Sequence, residues 1–560
     1  MSILNDTYLK EQLITYIGNK RSLLPLIYEA LNIHKKENSV FLDLFAGSGV
    51  VSRLGRLMGY QVISNDWEEY SRILGESHLR LSQKDIPFLF GSSESLRDLL
   101  YQINNLPPVH DEKSYMARYY APSDKDPQNA NYKIERLFYT RENALRIDSI
   151  RNYIELHFPP QATGPDQSIR NLLIGLLLCE CSKHTNTSGV FKAFHKGFGG
   201  HGQDALSRIL GPIILSYPVL PLDCPGADVY CRDANDLVKD KNLPMADVAY
   251  LDPPYNQHQY GSNYHILNTI ALWDKIPAPL DLNEKGELKE KAAIRKDWIK
   301  TKSPYCYKAS ASQAFSELMH DIRARRILIS YSNDGLIPFE MMMKICEKKG
   351  HISIISNQYS KYRGGRQSNN RLHSNIEFVL AIDTEKKAQS RSRPKIRRLL
   401  LLRELALMEK RVYSLEKLSS YAQWVDKNQI SMKIKESDLL LKIKWDLFIT
   451  LETNLSGWTK TKLEKLLEIL NLAACKTRDD ELNEIYAVIK KKYSDEKSKT
   501  APGLLREVPR RIKMLAHKKT RNEYHCQLEK LESLGKAVDI RGIDRQIEQI
   551  KIQAEKRFKE

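Results

Sequence analysis

The sequence predicts an α/β protein in which an open, mostly parallel sheet carries a large inserted subdomain and is followed by a mostly α-helical C-terminal domain. Three observations lead there. Short apolar runs of strand character leave into loops rich in Gly, Asp or Pro, as in VFLDLFAGSG (40–49), QVISND (61–66), DVAYLDPPY (247–255) and RRILISYSNDG (325–335). A helix-like stretch, VVSRLGRLM, follows the first of these loops directly. Beyond the linker-like SRSRPK at 390–395 the composition changes to long stretches of helical periodicity.

The first strand, Val40 to Leu42, runs into Asp43, Phe45 and a turn through Gly47 and Gly49. Glycines let a backbone reach positive φ and approach a ligand closely. A second strand, Val62 to Ser64, ends in Asn65 and Asp66. An acidic residue about twenty positions beyond a glycine loop is placed to hold the two hydroxyls of a ribose, so this half reads as a nucleoside-cofactor site. The loop is GSG, without the G-x-G-x-x-G pattern or a Gly-Lys-Ser/Thr ending, which disfavours a nicotinamide dehydrogenase and an ATPase.

The next strand of interest, DVAYL, ends in Asp252, Pro253, Pro254 and Tyr255. Ligands of open α/β sheets bind at that carboxyl edge. An exocyclic amine on an aromatic base is a poor nucleophile because its lone pair is delocalised into the ring. The Asp252 carboxylate and the Pro253 carbonyl can each accept one amine proton and draw the lone pair out of plane, while Tyr255 offers a face for stacking. Two prolines stiffen the loop and remove donors, leaving carbonyls to face a substrate. Acceptors fixed in advance stabilise the positive charge developing on nitrogen.

FAGSG and DPPY, with YIGNKRSLLPLI at 16–27, together resemble the Dam-like, alpha-class DNA adenine methyltransferases, over roughly residues 8–382. The resemblance implies a Rossmann-like sheet that uses S-adenosylmethionine, with Tyr16 and Lys20 in the first cofactor motif. Asp43, Phe45, Gly47, Gly49, Asp66 and Asp252 would complete the cofactor site. In VYCRDANDL (229–237), Asp233 matches the family position near the cofactor adenine, with Asp236 a close competitor and helix capping an alternative for both. The implied activity is sequence-specific methylation of the adenine N(6) amine in double-stranded DNA by base flipping, within a restriction-modification system and with a cognate endonuclease as partner. Methylation of the cytosine amine stays open chemically. The rivals are an RNA adenine or protein glutamine methyltransferase, whose similar loop usually begins with Asn, and a non-catalytic DNA-binding protein with a relict fold.

Residues 76–225 exceed what a compact nucleotide-binding sheet needs, and a connection of that length requires structure of its own. The expected division is therefore 1–75 with 226–385 as the catalytic domain, 76–225 as an inserted target-recognition subdomain and 390–560 as an accessory domain. Within the insertion, Lys192, His195 and Lys196 alternate with Phe191, Phe194 and Phe198. The lysines are candidates for phosphate contact, and the aromatics either stack on bases or fill a core. By analogy with the family, this region and the polar, aromatic tract at 113–143 would read the target sequence. A basic, glycine-bearing loop at 359–373, between the strands at 325–335 and 374–382, suggests a hairpin tip. Its Lys361, Arg363, Arg366 and Arg371 either touch the DNA backbone or stay in solvent. The family resemblance further implies that the segment beyond the catalytic loop helps close over a flipped base, with Asn256, Gln259, Tyr260, Asn263 and Tyr264 as candidates. KSPYCYKASASQAF (302–315) is basic and aromatic enough to approach DNA.

Of the formal net charge of +18, residues 381–560 hold 41 Lys plus Arg against 27 Asp plus Glu, so the excess lies mainly in the last third. A basic appendage favours nucleic acid over a small-molecule substrate. Its jobs would be DNA contact, target recognition or partner docking, and segment 436–452 could be strand or helix. The eight cysteines show no metal spacing or disulfide framework, so no metal is expected. No apolar run is long enough for a membrane span and no secretory leader opens the chain, which predicts a cytoplasmic protein. Nothing in the sequence indicates an oligomeric state.

Overall fold

The computed structural model describes residues 3–32, 38–200, 205–332, 335–355, 377–388, 392–426, 428–444, 446–496, 500–516, 520–538 and 543–559. Described residues before position 390 form one compact unit and those after it a second.

The first unit is built on a seven-stranded sheet: β1 (Val40–Asp43), β2 (Gln61–Asp66), β3 (Ala227–Cys231), β4 (Ala246–Leu251), β5 (Ala324–Ser332), β6 (His351–Ile355) and β7 (Glu377–Asp383). Their order is β3-β2-β1-β4-β5-β7-β6. The first five strands are parallel, and β7 runs antiparallel between β5 and β6. β1 and β4 are buried on both faces, as continuous apolar runs in a parallel sheet must be. Phe41 pairs with Val62 on one side and Val248 on the other, so the three carboxyl ends finish level. The chain turns one way from β1 to β2 and the other way from β4 to β5, which opens a crevice between the β1 and β4 loops.

The strand that precedes the basic loop is β6, not the one at 325–335. The HISII run of β6 is too short to stand out in the sequence, and it pairs with β7. Lys361, Arg363, Arg366 and Arg371 lie outside the described residues.

The insertion is helical, its longest helices being Ser93–Asn104, Arg141–His157 and Pro165–Lys183. The last begins with Pro at N1, where a missing N–H costs nothing, and is apolar almost all round. Gly175 lets it press against the helix Glu69–His78: a Cβ there would sit 2.2 Å from the Ser77 hydroxyl. The inserted helices consequently share one hydrophobic core with Tyr70, Ile73 and Leu74 and with Tyr264 to Ala271. Arg136 is buried in this region, but its guanidinium donates to the carbonyls of Tyr119, Ala278, Pro279 and Glu290. Paired in this way, the charge is tolerated.

The second unit is mostly helical, with helices Ser392–Met408, Lys460–Ala473, Arg478–Glu496, Thr500–Leu515, Arg521–Val538 and Ile543–Lys559. It also holds a four-stranded antiparallel sheet: β8 (Gln423–Asp426), β9 (Gln429–Ile434), β10 (Ser437–Lys444) and β11 (Phe448–Leu451). Segment 436–452 is therefore strand, with Leu439, Leu441 and Ile443 buried and the residues between them turned outward. One core joins this sheet to the helices at 392–408 and 460–473, and another joins the remaining helices. No helix among the described residues is long and apolar enough to cross a membrane.

Candidate active site

The loop after β1 is held by its neighbours on the sheet. Ala46 N–H donates to the Asn65 carbonyl (2.9 Å) and Gly47 N–H to the Asp66 carboxylate (2.8 Å). The Asn65 amide donates to the carbonyls of Leu44 and Arg232 and accepts from Arg232 N–H, tying together the ends of three strands. Gly47 has φ +54°, and a Cβ there would lie 2.6 Å from the Tyr16 ring. This glycine is needed for its conformation and for the space it leaves. Gly49, at φ +75°, is the N-cap of the helix Val50–Leu57 and has nothing within 4 Å of where a Cβ would stand.

Asp43 is 1 % exposed at the end of β1. Its Oδ2 accepts from the Ser52 hydroxyl (2.7 Å), and Oδ1 has no partner among the described residues. Burial pushes this carboxyl up to about 7, opposed by the Ser52 bond and reinforced by the Asp252 charge. The unfolded carboxyl titrates near 3.8, so the folded protein holds this proton between about 4 and 7. The associated stability is present below the unfolded pKa and is lost as pH rises through the folded one. Asp43→Asn is therefore expected to gain roughly 1–3 kcal/mol relative to wild type between pH 5 and 8. Thermal melts of both proteins across that range check this, and parallel pH profiles would refute it.

At the end of β4, the Asp252 carboxylate meets the Lys20 ammonium at 3.1 Å. Lys20 is 4 % exposed and also lies over the Tyr255 ring, 5.3 Å from its centroid. The Tyr255 ring meets Tyr331 edge-on. Pro253 is buried, and Pro254 turns towards the cleft. Tyr16 stacks on Tyr264 (4.9 Å) and Tyr260 (5.3 Å), joining the N-terminal motif to the segment after the catalytic loop. Tyr264 is itself fixed, because its hydroxyl accepts from Ile17 N–H at 2.7 Å.

One cleft collects much of this set. Tyr16, Phe45, Asp66, Asp233, Asp252 and Pro254 line it, with Gln259 and Tyr260 from the segment beyond. Asp233 lines the cleft and also caps the helix Ala234–Leu237, accepting from Asn235 and Asp236 N–H, whereas Asp236 is exposed. Lys20, Asp43, Gly47 and Gly49 are not among the lining residues, although Lys20 pairs with Asp252 and Gly47 bonds to Asp66.

Several residues of the cleft were not anticipated. Trp67, Glu68, Arg232, Thr301, Ser303 and Tyr305 complete its wall. Tyr305 is 2 % exposed and meets Phe45 edge-on at 5.4 Å, so this part of the basic, aromatic segment faces the cleft. A reciprocal pair of hydrogen bonds between the Gln259 side chain and the Ser303 backbone holds the segment there. Nothing in the composition of KSPYCY separates an aromatic that lines a cleft from one that approaches DNA. For Glu68 a signal existed, its place two residues after Asp66.

Among the expected DNA contacts, Lys192 and Lys196 are exposed, Lys196 over the Tyr132 ring. Phe191 and Phe198 are buried and Phe194 packs against the core, so these aromatics are structural. In the tract 113–143, Tyr115, Tyr120, Phe138 and Tyr139 are core residues as well.

The D12 class N6 adenine-specific DNA methyltransferase family matches residues 16–281. The type II methyltransferase M.NlaIII of Neisseria lactamica is 30% identical over 371 residues, covering 65% of this chain and 97% of that protein. M.CviAII of Paramecium bursaria Chlorella virus 1 is 27% identical, with 62% and 93% covered. M.FokI of Planomicrobium okeanokoites is 29% identical over 65% of this chain, and the match spans 52% of its own length.

Proposed function

Because the chain belongs to the D12 class N6 adenine-specific DNA methyltransferase family, we propose that it methylates the N(6) amine of adenine at a specific sequence in double-stranded DNA. S-adenosylmethionine is the donor in this reading, and the enzyme acts in the cytoplasm as the modification arm of a type II restriction-modification system. The relatives are named as type II enzymes, which supports a cognate endonuclease as functional partner.

The observation that carries the reading is the Asp252 carboxylate in the cleft at the β1/β4 crevice, next to a loop that two prolines leave without N–H donors. The cleft also fits the donor. Gly47 leaves room for Tyr16, acidic side chains line one wall, and Phe45 and Tyr305 form an aromatic surface suited to a purine. Asp66 and Asp233 would hold the nucleoside part. When bound, S-adenosylmethionine supplies an electrophilic methyl group on a sulfonium.

The remaining work falls to the chain. A base inside a duplex cannot reach the cleft, so the target adenine must be flipped out of the stack. Tyr255 then gives its ring a stacking face. The Asp252 carboxylate and the Pro253 carbonyl each accept a hydrogen bond from one amine N–H, which localises the nitrogen lone pair and stabilises the charge that grows on it. Lys20 holds Asp252 in place. Lys192, Lys196 and the basic loop around Lys361, Arg363, Arg366 and Arg371 are proposed phosphate contacts, with the insertion reading sequence. The basic region beyond residue 390 would add sequence-independent affinity.

Modification-sensitive sequencing of DNA from a host expressing the chain tests this, since it reports the base and the recognition sequence together. N(6)-methyladenine confined to one motif is expected. Methyl transfer from labelled donor to RNA or protein in place of DNA would favour the rival substrates, and methylcytosine would move the reaction to the other amine.

A further inference from the structure

We propose that Glu68 accepts a hydroxyl of the cofactor ribose, so that Asp66 and Glu68 together recognise the diol; this rests on the methyltransferase reading above. The Asp66 carboxylate is already engaged by the protein. Its Oδ2 accepts from Gly47 N–H (2.8 Å) and its Oδ1 from Glu68 N–H (3.0 Å), so it shapes the glycine loop as well as lining the cleft. Two residues on, Glu68 lines the same cleft and is only 7 % exposed.

The Glu68 side chain is held from one side. Asn268 Nδ2 donates to Oε2 at 2.6 Å, and Asn268 Oδ1 accepts from Tyr70 N–H at 3.1 Å, which fixes the orientation of the amide. No other described side chain donates to the Glu68 carboxyl. Oε1 is accommodated by Gly261, where a Cβ would come within 2.9 Å of it. A carboxyl this buried is costly unless its acceptor capacity is used, and among the described side chains only Asn268 uses it. Burial pushes it up to about 7 despite the Asn268 bond, with the Asp66 and Asp297 charges adding to the effect. A hydroxyl is the ligand group that satisfies such a site, because it donates to the carboxylate and accepts from the carboxylic acid.

The test is calorimetric binding of S-adenosylhomocysteine and its 2′-deoxy and 3′-deoxy analogues to the full chain, as wild type, Glu68→Ala and Glu68→Gln. Wild type is expected to bind both deoxy analogues more weakly than the parent, and the one lacking the hydroxyl held by Glu68 about tenfold to a hundredfold more weakly. Glu68→Ala should bind the parent more weakly by a similar factor and lose its discrimination against that same analogue. Glu68→Gln keeps the shape and the Asn268 bond, and it should show discrimination between the two; it serves as the variant if Glu68→Ala does not fold. Equal discrimination in wild type and both variants, or none in wild type, overturns the assignment. Failure of wild type to bind S-adenosylhomocysteine at all would instead overturn the methyltransferase reading beneath it.

Discussion

Asp252→Asn is expected to slow methyl transfer in a single turnover by about a hundredfold to a thousandfold, while affinity for S-adenosylhomocysteine stays within a few-fold. The substitution preserves volume and one acceptor oxygen. It replaces the second oxygen with an NH2 group, a donor facing an amine that also needs to donate. It also removes the charge opposite Lys20, whose ammonium is 3.1 Å from the carboxylate and 4 % exposed. A buried cation left without its counter-charge destabilises the fold, so the melting temperature should fall alongside the rate. Single-turnover kinetics separate the two effects, because a folded fraction can be corrected for and a lost acceptor cannot. Methylation near the wild-type rate would remove Asp252 from the chemistry.

Gly47→Ala carries the second large effect, and Gly49→Ala is its internal control. Both glycines have positive φ, +54° and +75°, and an L-residue there costs about 1–2 kcal/mol in backbone strain alone. Only at position 47 does the new methyl collide with a neighbour, 2.6 Å from one ring carbon of Tyr16 and 2.8 Å from another. Tyr16 cannot easily yield, being stacked against Tyr260 and Tyr264. Moving the loop instead would break the Gly47 N–H bond to Asp66. Gly47→Ala is therefore expected to lose roughly a hundredfold in cofactor affinity, equivalent to about 2.7 kcal/mol, with Gly49→Ala losing tenfold or less. Equal losses in titrations of the two variants would show that crowding at Tyr16 is unimportant.

The strands were legible wherever an apolar run ended in a residue that breaks it. Val40–Asp43, Gln61–Asp66, Ala246–Leu251 and Ala324–Ser332 all show that pattern. His351–Ile355 does not, because five residues, with polar His351 and Ser353 among three isoleucines, are too few to register as a strand. Segment 437–444 was ambiguous because LLLKIK contains an apolar triplet and an alternation at once, and only pairing with β9 and β11 decides between them. Of the cleft, the sequence supplied the residues that end strands. Glu68, Ser303 and Tyr305 owe their position to contacts between distant segments, such as Glu68 with Asn268 and Ser303 with Gln259, which no local pattern encodes. The phenylalanines at 191, 194 and 198 show the converse, since composition gives a side chain's chemistry without the side of the chain on which it lies.

The placement of β1 between β2 and β4 governs when this enzyme can first work as it leaves the ribosome. β1 and β2 are made early, but the strand that covers the other edge of β1 begins at Ala246, after the whole insertion has been synthesised. During that interval the nascent chain carries an uncovered strand edge next to a half-built cofactor loop, a state prone to pairing with other chains. The inserted helices can pack against the helix Glu69–His78 in that interval, but their core stays incomplete until Tyr264 to Ala271, made after β4, are added to it. Any polypeptide that stops short of Asp252 thus holds one wall of the cleft and none of the amine-accepting loop.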